Sequence, residues 1–184
     1  LNLLATASDD HRVVISSLDQ TSGQVVFEGH QAPVTCVAAT PHSVLIASGG
    51  YDENVRLFDI QAQRQVAVLP AHADPVTSVS FSTCGGQLLA SGSYDGLARV
   101  WDGRTGRCVK TLIGDTNPAV TGVLFYDNTI LVSSLDSQIR QWDIRTGNLI
   151  RSFDKHRNEK LIIRPYVHGD ALFMGSEDGR VVKY

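Results

Sequence analysis

The chain has 184 residues, a formal net charge of −3 and a pI near 6.0. This weak negative charge argues against a direct nucleic-acid partner, because nucleic-acid-binding domains need a basic face. No apolar run is long enough to span a membrane, so we expect protein partners and neither nucleic acid nor membrane contact.

Short alternating runs bounded by turn residues predict β-strands along the whole chain and no amphipathic helix. The first runs are 1–10 with its turn, 11–16 and 24–27. The next are 34–38, 44–48, 54–59, 65–69, 76–81, 88–91, 97–101 and 107–112. The last follow residue 117 and include 130–133, 138–143, 148–153, an irregular run at 161–167, 172–175 and 181–184.

Three markers recur about every 42 residues. An aromatic residue ends one strand of several units, at Phe58, Trp101 and Trp142. The turn aspartates are Asp10, Asp52, Asp95, Asp136 and Asp178, and the opening positions are His30, His72, Asp115 and His156. This period is typical of four-stranded β-propeller blades, and it divides the chain into units at about 1–28, 29–70, 71–113, 114–154 and 155–184.

The Gly-His, Trp-Asp and Tyr-Asp-Gly marks resemble those of the WD40 repeat family over essentially the whole chain. The resemblance implies one all-β WD40 β-propeller domain, of which this chain would hold about 4.4 of seven blades. Asp-Gly between apolar runs, as at Asp95-Gly96, supports the hairpins that such blades need.

The cysteines and the remaining histidines predict no metal or cofactor site. Cys36, Cys84 and Cys108 lie at different places in their units without a C-x-x-C spacing, which indicates reduced structural thiols. The other histidines, His11, His42 and His168, are scattered and have no ligand spacing.

A serine, a histidine and an aspartate in the third unit have the composition of a hydrolytic triad. Ser91, His72 and Asp95 would instead form a hydrogen-bonded chain with Trp101, as the WD40 resemblance implies. The set recurs in the second unit at His30, Ser48, Asp52 and Phe58, and repetition indicates architecture rather than a unique reactive site. An enzyme built on a propeller is therefore the disfavoured alternative.

Two units depart from this network. Asp115 and Val132 replace the histidine and the serine of the fourth unit, and Met174 and Tyr184 replace the serine and the tryptophan of the fifth. We predict that these two units are held more by apolar packing and are locally less stable.

The segments LPAHADPVTSVSF, SGSYDGLARVWD, HRNEK and GSEDG closely resemble the WD-repeat scaffold subunits of histone H3 lysine-4 methyltransferase (COMPASS/MLL-type) complexes. This resemblance implies a non-catalytic nuclear scaffold that binds methyltransferase subunits and a histone tail or another basic peptide. A WD40 subunit of another assembly, in RNA processing or ubiquitin ligation and in the nucleus or the cytoplasm, is the alternative.

In that family a central pocket on one face takes an arginine, and a groove on the opposite face takes another subunit. The resemblance places the channel-rim positions at Asp9, Tyr51, Thr77, Tyr94, Thr121 and Glu177. Thr35 and Arg164 replace the family's two phenylalanines, whose stacking would contribute about 0.5–2 kcal/mol each, so we predict weaker arginine binding. In the opposite groove Asn128 matches roughly and Gln141 replaces an apolar residue.

Overall fold

The computed structural model describes residues 3–18, 23–41, 44–83, 85–114 and 116–184. Within these ranges it has no helix, and its strands are β1 Leu3–Ala7, β2 Val13–Ser17, β3 Val25–Phe27, β4 Val34–Ala39, β5 Leu45–Gly50, β6 Asn54–Asp59, β7 Arg64–Pro70, β8 Val76–Phe81, β9 Leu88–Ser93, β10 Ala98–Asp102, β11 Cys108–Leu112, β12 Val120–Tyr126, β13 Thr129–Ser134, β14 Gln138–Asp143, β15 Leu149–Phe153, β16 Tyr166–His168, β17 Ala171–Gly175 and β18 Val181–Lys183. In this part of the chain no helix is long and apolar enough to cross a membrane.

The strands form five antiparallel sheets, each built from strands that are consecutive in the chain. The first sheet is β1-β2-β3, the second β4 to β7, the third β8 to β11, the fourth β12 to β15 and the fifth β16-β17-β18. The second, third and fourth sheets are four-stranded meanders of the kind that form the blades of a β-propeller, so the prediction of an all-β propeller fold is confirmed.

The turn after the second strand of the third sheet shows why the hairpins close where they do. Gly96 has a positive φ of 81°, a conformation that a side chain disfavours. A Cβ atom at Gly96 would also clash with the backbone of Asn117. The Asp-Gly signal therefore serves both the turn and the close approach of the next unit.

The inner strands of the second, third and fourth sheets share one irregularity. The register of each with its neighbour shifts after the first residue, between Val34 and Cys36 in the second sheet and between Val76 and Ser78 in the third. The fourth sheet shifts in the same way between Val120 and Gly122. Each shift leaves one extra residue as a β-bulge, and a bulge redirects a side chain out of the ladder.

The hydrophobic core lies between adjacent sheets rather than at a single centre. Trp101 and Phe81 of the third sheet pack with Leu57 and Leu69 of the second. Similar clusters join the first sheet to the second, the third to the fourth and the fourth to the fifth. Each sheet therefore depends on its neighbours for burial, as expected for tandem repeats.

The inner strand of the fifth sheet is shorter than predicted. The irregular run at 161–167 was expected to be this strand, but β16 spans only Tyr166–His168. Residues 161–165 lie outside the ladder. Pro165 has no N–H to donate to a ladder, because its nitrogen is part of the ring, so it does not extend the strand.

Candidate functional site

A hydrogen-bonded chain runs through the third sheet. The indole Nε1 of Trp101 donates to Ser91 Oγ at 2.9 Å, and Ser91 Oγ lies 2.8 Å from His72 Nε2. On the other side of the ring, His72 Nδ1 lies 2.9 Å from a carboxylate oxygen of Asp95. We call these four residues the third-sheet relay.

The protonation of the relay follows from its surroundings. Burial lowers the pKa of His72 and outweighs the carboxylate of Asp95, which would raise it. Burial alone would raise the pKa of Asp95, but hydrogen bonds from the Leu97 amide and His72 prevail and lower it. His72 is therefore neutral at pH 7; its Nδ1–H donates to the ionised Asp95, and its Nε2 accepts the Ser91 hydroxyl proton.

This relay has the composition of a catalytic triad but not the accessibility. Ser91 is 0% exposed, and its oxygen already accepts the hydrogen bond from Trp101. A nucleophile needs room for a substrate carbonyl beside it and oxyanion donors facing that carbonyl. The relay instead joins two strands and two connections of one sheet, so its chemistry is structural.

The second sheet repeats the arrangement with a different outer member. His30 Nε2 lies 2.7 Å from Ser48 Oγ, and His30 Nδ1 lies 2.9 Å from Asp52. Phe58 takes the tryptophan position and cannot donate a hydrogen bond. Arg56 approaches Asp52 at 3.3 Å, so a cation adds to the histidine in holding this aspartate.

The fourth sheet uses different chemistry. Val132 is buried at the serine position, and Asp136 forms an ion pair with Arg140. Ser134 completes this cluster, with its hydroxyl 2.7 Å from Asp136 and 2.8 Å from Arg140. Asp115, which was predicted to replace the histidine, lies outside the described residues.

The fifth sheet keeps only part of the relay. His156 Nδ1 lies 2.8 Å from the hydroxyl of Tyr184, and Met174 is fully buried at the serine position. His156 Nε2 is buried without a hydrogen-bond partner, because a thioether in place of a hydroxyl supplies only a weak acceptor.

Two tyrosines occupy equivalent positions where second strands end. The N–H of Tyr51 donates to Pro33 O at 2.9 Å, and the N–H of Tyr94 donates to Pro75 O at 3.1 Å. The side chain of Tyr51 is 53% exposed, whereas Tyr94 is half-buried and Asp9 is exposed. Among the predicted rim residues, Asp9 and Tyr51 are thus the most open to a ligand.

Glu177 binds the protein's own backbone. Its Oε1 accepts N–H groups from Glu159, Lys160 and Leu161 at 2.9, 2.7 and 2.8 Å. These donors hold the pKa of Glu177 below its ordinary value. Glu177 therefore fixes the start of the connection into β16, a role that its predicted place on the rim did not include.

Two of the predicted rim residues, Thr77 and Thr121, lie on the inner strands of the third and fourth sheets. Both are fully buried, because each is the extra residue of an inner-strand bulge. The hydroxyl of Thr77 donates across the sheet boundary to Val120 O at 2.6 Å, and Thr121 bonds Ser133 and Asn158 at 2.9 and 3.2 Å. These hydroxyls hold neighbouring parts of the chain together.

Thr35, at the equivalent bulge of the second sheet, does the same. Its hydroxyl donates to Gly49 O at 3.0 Å and to Val76 O of the third sheet. Ser78 adds a further link by accepting the N–H of Val123 at 3.1 Å. Sequence reasoning missed these links between sheets, although the hydroxyl residues in each inner strand were a visible signal.

On the opposite face, Asn128 lines a hollow between the third and fourth sheets together with Gln87, Leu88 and Arg145. Gln141 is buried elsewhere in the fourth sheet. Its Nε2 donates to Thr129 Oγ1 at 2.9 Å, and its Oε1 accepts from Arg151 Nε at 2.7 Å. Gln141 is therefore satisfied internally rather than facing this hollow.

The described residues hold no cluster of three or more His, Cys, Asp or Glu side chains that could bind a metal ion. Cys36 is buried and Cys108 exposed, and both are free thiols. Burial raises the pKa of the Cys36 thiol. Cys84 and His42 lie outside the described residues.

Comparison with known proteins gives consistent matches. The profile of the family "WD40: WD domain, G-beta repeat" matches residues 22–59, 63–102 and 106–143. The structure is also similar to that of the computationally designed Ika8 protein, with a TM-score of 0.85 and 26% identity over 100% of this chain and 55% of that one.

Three curated relatives illustrate the range of similar sequences. COMPASS component SWD3 of Saccharomyces cerevisiae is 33% identical over 96% of this chain. Nuclear distribution protein nudF of Aspergillus niger is 32% identical over 86%, and pre-mRNA-processing factor 19 of Bos taurus is 29% identical over 84%. The chain spans 58%, 37% and 31% of these three relatives respectively.

Proposed function

The chain belongs to the WD40 repeat family, and from this premise we propose that it is a non-catalytic scaffold that docks protein partners on the loop faces of a β-propeller. The observation that carries this proposal is the division of its polar groups. The triad-like sets are buried and occupied with one another, whereas Asp9 and Tyr51 stand exposed where strands end. Rigid sheets that present exposed loop residues are well suited to docking.

We propose a histone H3 lysine-4 methyltransferase-type chromatin complex as the assembly, and hence a nuclear location. The similarity to COMPASS component SWD3 over 96% of this chain supports this assignment. The partners would be other subunits of the complex and a basic peptide such as a histone tail. Exposed Tyr51 offers an aromatic anchor, and Asp9 offers complementary charge.

A second candidate is a scaffold role in another assembly, such as RNA processing or ubiquitin ligation, in the nucleus or the cytoplasm. The similarity to pre-mRNA-processing factor 19 supports it. The substitution of Thr35 and Arg164 for the two aromatic residues of the chromatin-family pocket also favours it, because the cation–π contribution of those residues is lost.

Co-purification of the full-length protein from its native cells tests both candidates. The chromatin proposal expects a SET-domain methyltransferase and its accessory subunits to be recovered. Recovery of splicing factors or of ubiquitin-ligase subunits instead would favour the second candidate. Recovery of no partner under conditions that preserve known complexes would contradict the scaffold role.

Titration with a histone H3 tail peptide tests the rim. We expect Tyr51→Ala to weaken peptide binding about five- to thirtyfold, the loss typical of an exposed aromatic anchor worth roughly 1–2 kcal/mol. Val68→Ala is the matched control, because Val68 is 42% exposed on the outer strand of the same sheet. Equal affinity of the wild type and Tyr51→Ala would exclude Tyr51 as the anchor.

A further inference from the structure

The connection from the fourth sheet to the fifth is long. It spans residues 154–165, whereas residues 28–33 and 71–75 make the corresponding connections from the first sheet to the second and from the second to the third. Long ordered connections on a rigid scaffold often carry binding residues. We call residues 154–165 the long connection.

The backbone of the long connection is held at successive residues. Glu177 Oε1 accepts the N–H groups of residues 159–161. Just before them, the N–H groups of Arg157 and Asn158 donate to serine hydroxyls, each at 2.9 Å. A partner therefore meets a preformed surface, and binding loses less backbone entropy than it would on a free loop.

The end of the long connection is anchored as well. Ile163 packs in the core between the fourth and fifth sheets, and Pro165 is buried. Arg164 Nη2 donates to the carbonyl oxygens of Thr35 and Thr77 at 3.0 and 2.8 Å. The side chain of Arg164 is nevertheless exposed, so these contacts fix its position and leave its charge open to a partner.

Between these anchors the long connection exposes two adjacent apolar side chains. Leu161 is 59% exposed and Ile162 is 39% exposed. Single exposed apolar residues are common on protein surfaces, but two neighbours on an ordered backbone form a surface that a partner can cover. Such contact removes apolar area from water, which favours binding.

The unpaired charges around these apolar residues are positive. Glu159 is paired with Arg157 at 2.9 Å, and the carboxylate of Glu177 accepts backbone N–H groups. In the described part of the chain, Lys160 and Arg164 form no ion pair. A partner therefore meets two cations that have no carboxylate of their own.

We propose that the long connection is a docking surface for an acidic, apolar segment of a partner subunit. Aliphatic side chains of the segment cover Leu161 and Ile162, and its carboxylates lie against Lys160 and Arg164, because complementary charge fixes the register of such contacts. This inference rests on the proposed docking function and adds a second class of partner to it. A basic peptide binds at the exposed rim residues of the first two sheets, and the acidic segment binds at the fifth.

The test begins with the full-length protein and a fluorescent capped peptide in which two leucines are flanked by two glutamates on each side. A second peptide, with glutamines in place of the glutamates, measures the contribution of charge. We expect the acidic peptide to bind about five- to tenfold more tightly than the glutamine peptide, as for two solvent-exposed charge pairs. Added salt should reduce this difference, because it screens exposed charges.

Variants of the long connection locate the site. We expect Leu161→Ala to weaken binding of the acidic peptide about fivefold through lost apolar contact. Lys160→Gln should weaken it about threefold and leave the glutamine peptide unaffected. The Lys160 side chain forms no hydrogen bond within the described residues, so this variant keeps the fold. Val109→Ala and Arg107→Gln, at exposed positions of the third sheet, are the matched controls.

Several results would overturn the proposal. These are equal affinity for the two peptides, no loss of affinity in Leu161→Ala and Lys160→Gln, or equal losses in the two control variants. Tighter binding of a duplex oligonucleotide than of the acidic peptide would assign the cations to nucleic acid instead. Titration with the histone H3 peptide and co-purification are read separately, so the rim and the scaffold role can stand when this proposal fails.

Discussion

The third and fourth sheets solve the same structural problem in different ways. In the third, a neutral histidine and a buried serine connect Trp101 to the turn carboxylate of Asp95. In the fourth, Val132 interrupts that route, and Asp136 is held by Arg140 and Ser134 near the surface. Both arrangements fix the turn after the second strand, but only the third extends the hydrogen bonds through the core.

The difference shows which part of a repeat is essential to its shape. The strand register is nearly the same in the two sheets, with Trp101 opposite Leu89 and Trp142 opposite Ile130. The backbone therefore does not require the histidine and the serine. The relay adds stability and fixes side chains, because buried polar groups that lose a partner cost free energy.

Removal of the central histidine of the third-sheet relay should cause the largest loss of stability. His72→Ala leaves the Asp95 carboxylate and the Ser91 hydroxyl without their partner and opens a cavity. We expect a loss of about 3–5 kcal/mol in the free energy of unfolding, as for a buried pair with one partner removed. Urea unfolding of the full-length protein measures it, and His168→Ala, at an exposed position, should change it by less than about 0.5 kcal/mol.

Substitution of the third-sheet serine by valine should interrupt the hydrogen-bonded chain of that sheet, as Val132 does in the fourth. Ser91→Val reproduces Val132 but leaves Trp101 Nε1 and His72 Nε2 unpaired in the core. We expect a loss of about 2–4 kcal/mol, since each unsatisfied buried group costs about 1–3 kcal/mol. Ser152→Val on the exposed outer strand β15 is the control. A loss below about 1 kcal/mol for Ser91→Val would show that the relay contributes little to stability.

Acidification should reduce the difference in stability between the third and fourth sheets. The pKa values of His30 and His72 are lowered by burial, so the unfolded chain binds protons first, near pH 6.5. The stability from these neutral histidines is complete above that pH and is lost as the pH falls. Hydrogen bonds and Arg140 overcome burial and lower the pKa of Asp136, and its contribution is lost only below about pH 4.

Amide hydrogen exchange measures this effect strand by strand. At pH 7.5 we expect β10 to be more protected than β14 and β17, by an opening free energy of about 1–2 kcal/mol. Between pH 7 and 5 the protection of β6 and β10 should fall by up to about 1.4 kcal/mol per pH unit for each histidine, while β14 changes little. Slower exchange in β14 than around Trp101 at pH 7.5 would contradict the predicted order.

The repeating features of this protein were predictable from its sequence. The period and the strand positions follow from alternation and from turn signals within one unit, and the resemblance to the WD40 family implies the relay pairs, His72 with Asp95 and His30 with Asp52. Their interactions are local to a sheet, and each is copied, so the pattern appears several times in the chain. The inner strand of the fifth sheet was predicted too long, because an apolar run alone does not show that the ladder begins only after Pro165.

Only the tertiary structure decided how the units join one another. Thr77 was predicted to lie at the channel rim, and the structure shows that its hydroxyl donates to Val120 O of the neighbouring sheet. Glu177 binds backbone amides of a connection, and Arg164 reaches carbonyls 129 and 87 residues away in the chain. Periodicity specifies which residues are equivalent, whereas contacts between units depend on the direction of each bulged or irregular segment, which a repeat pattern does not encode.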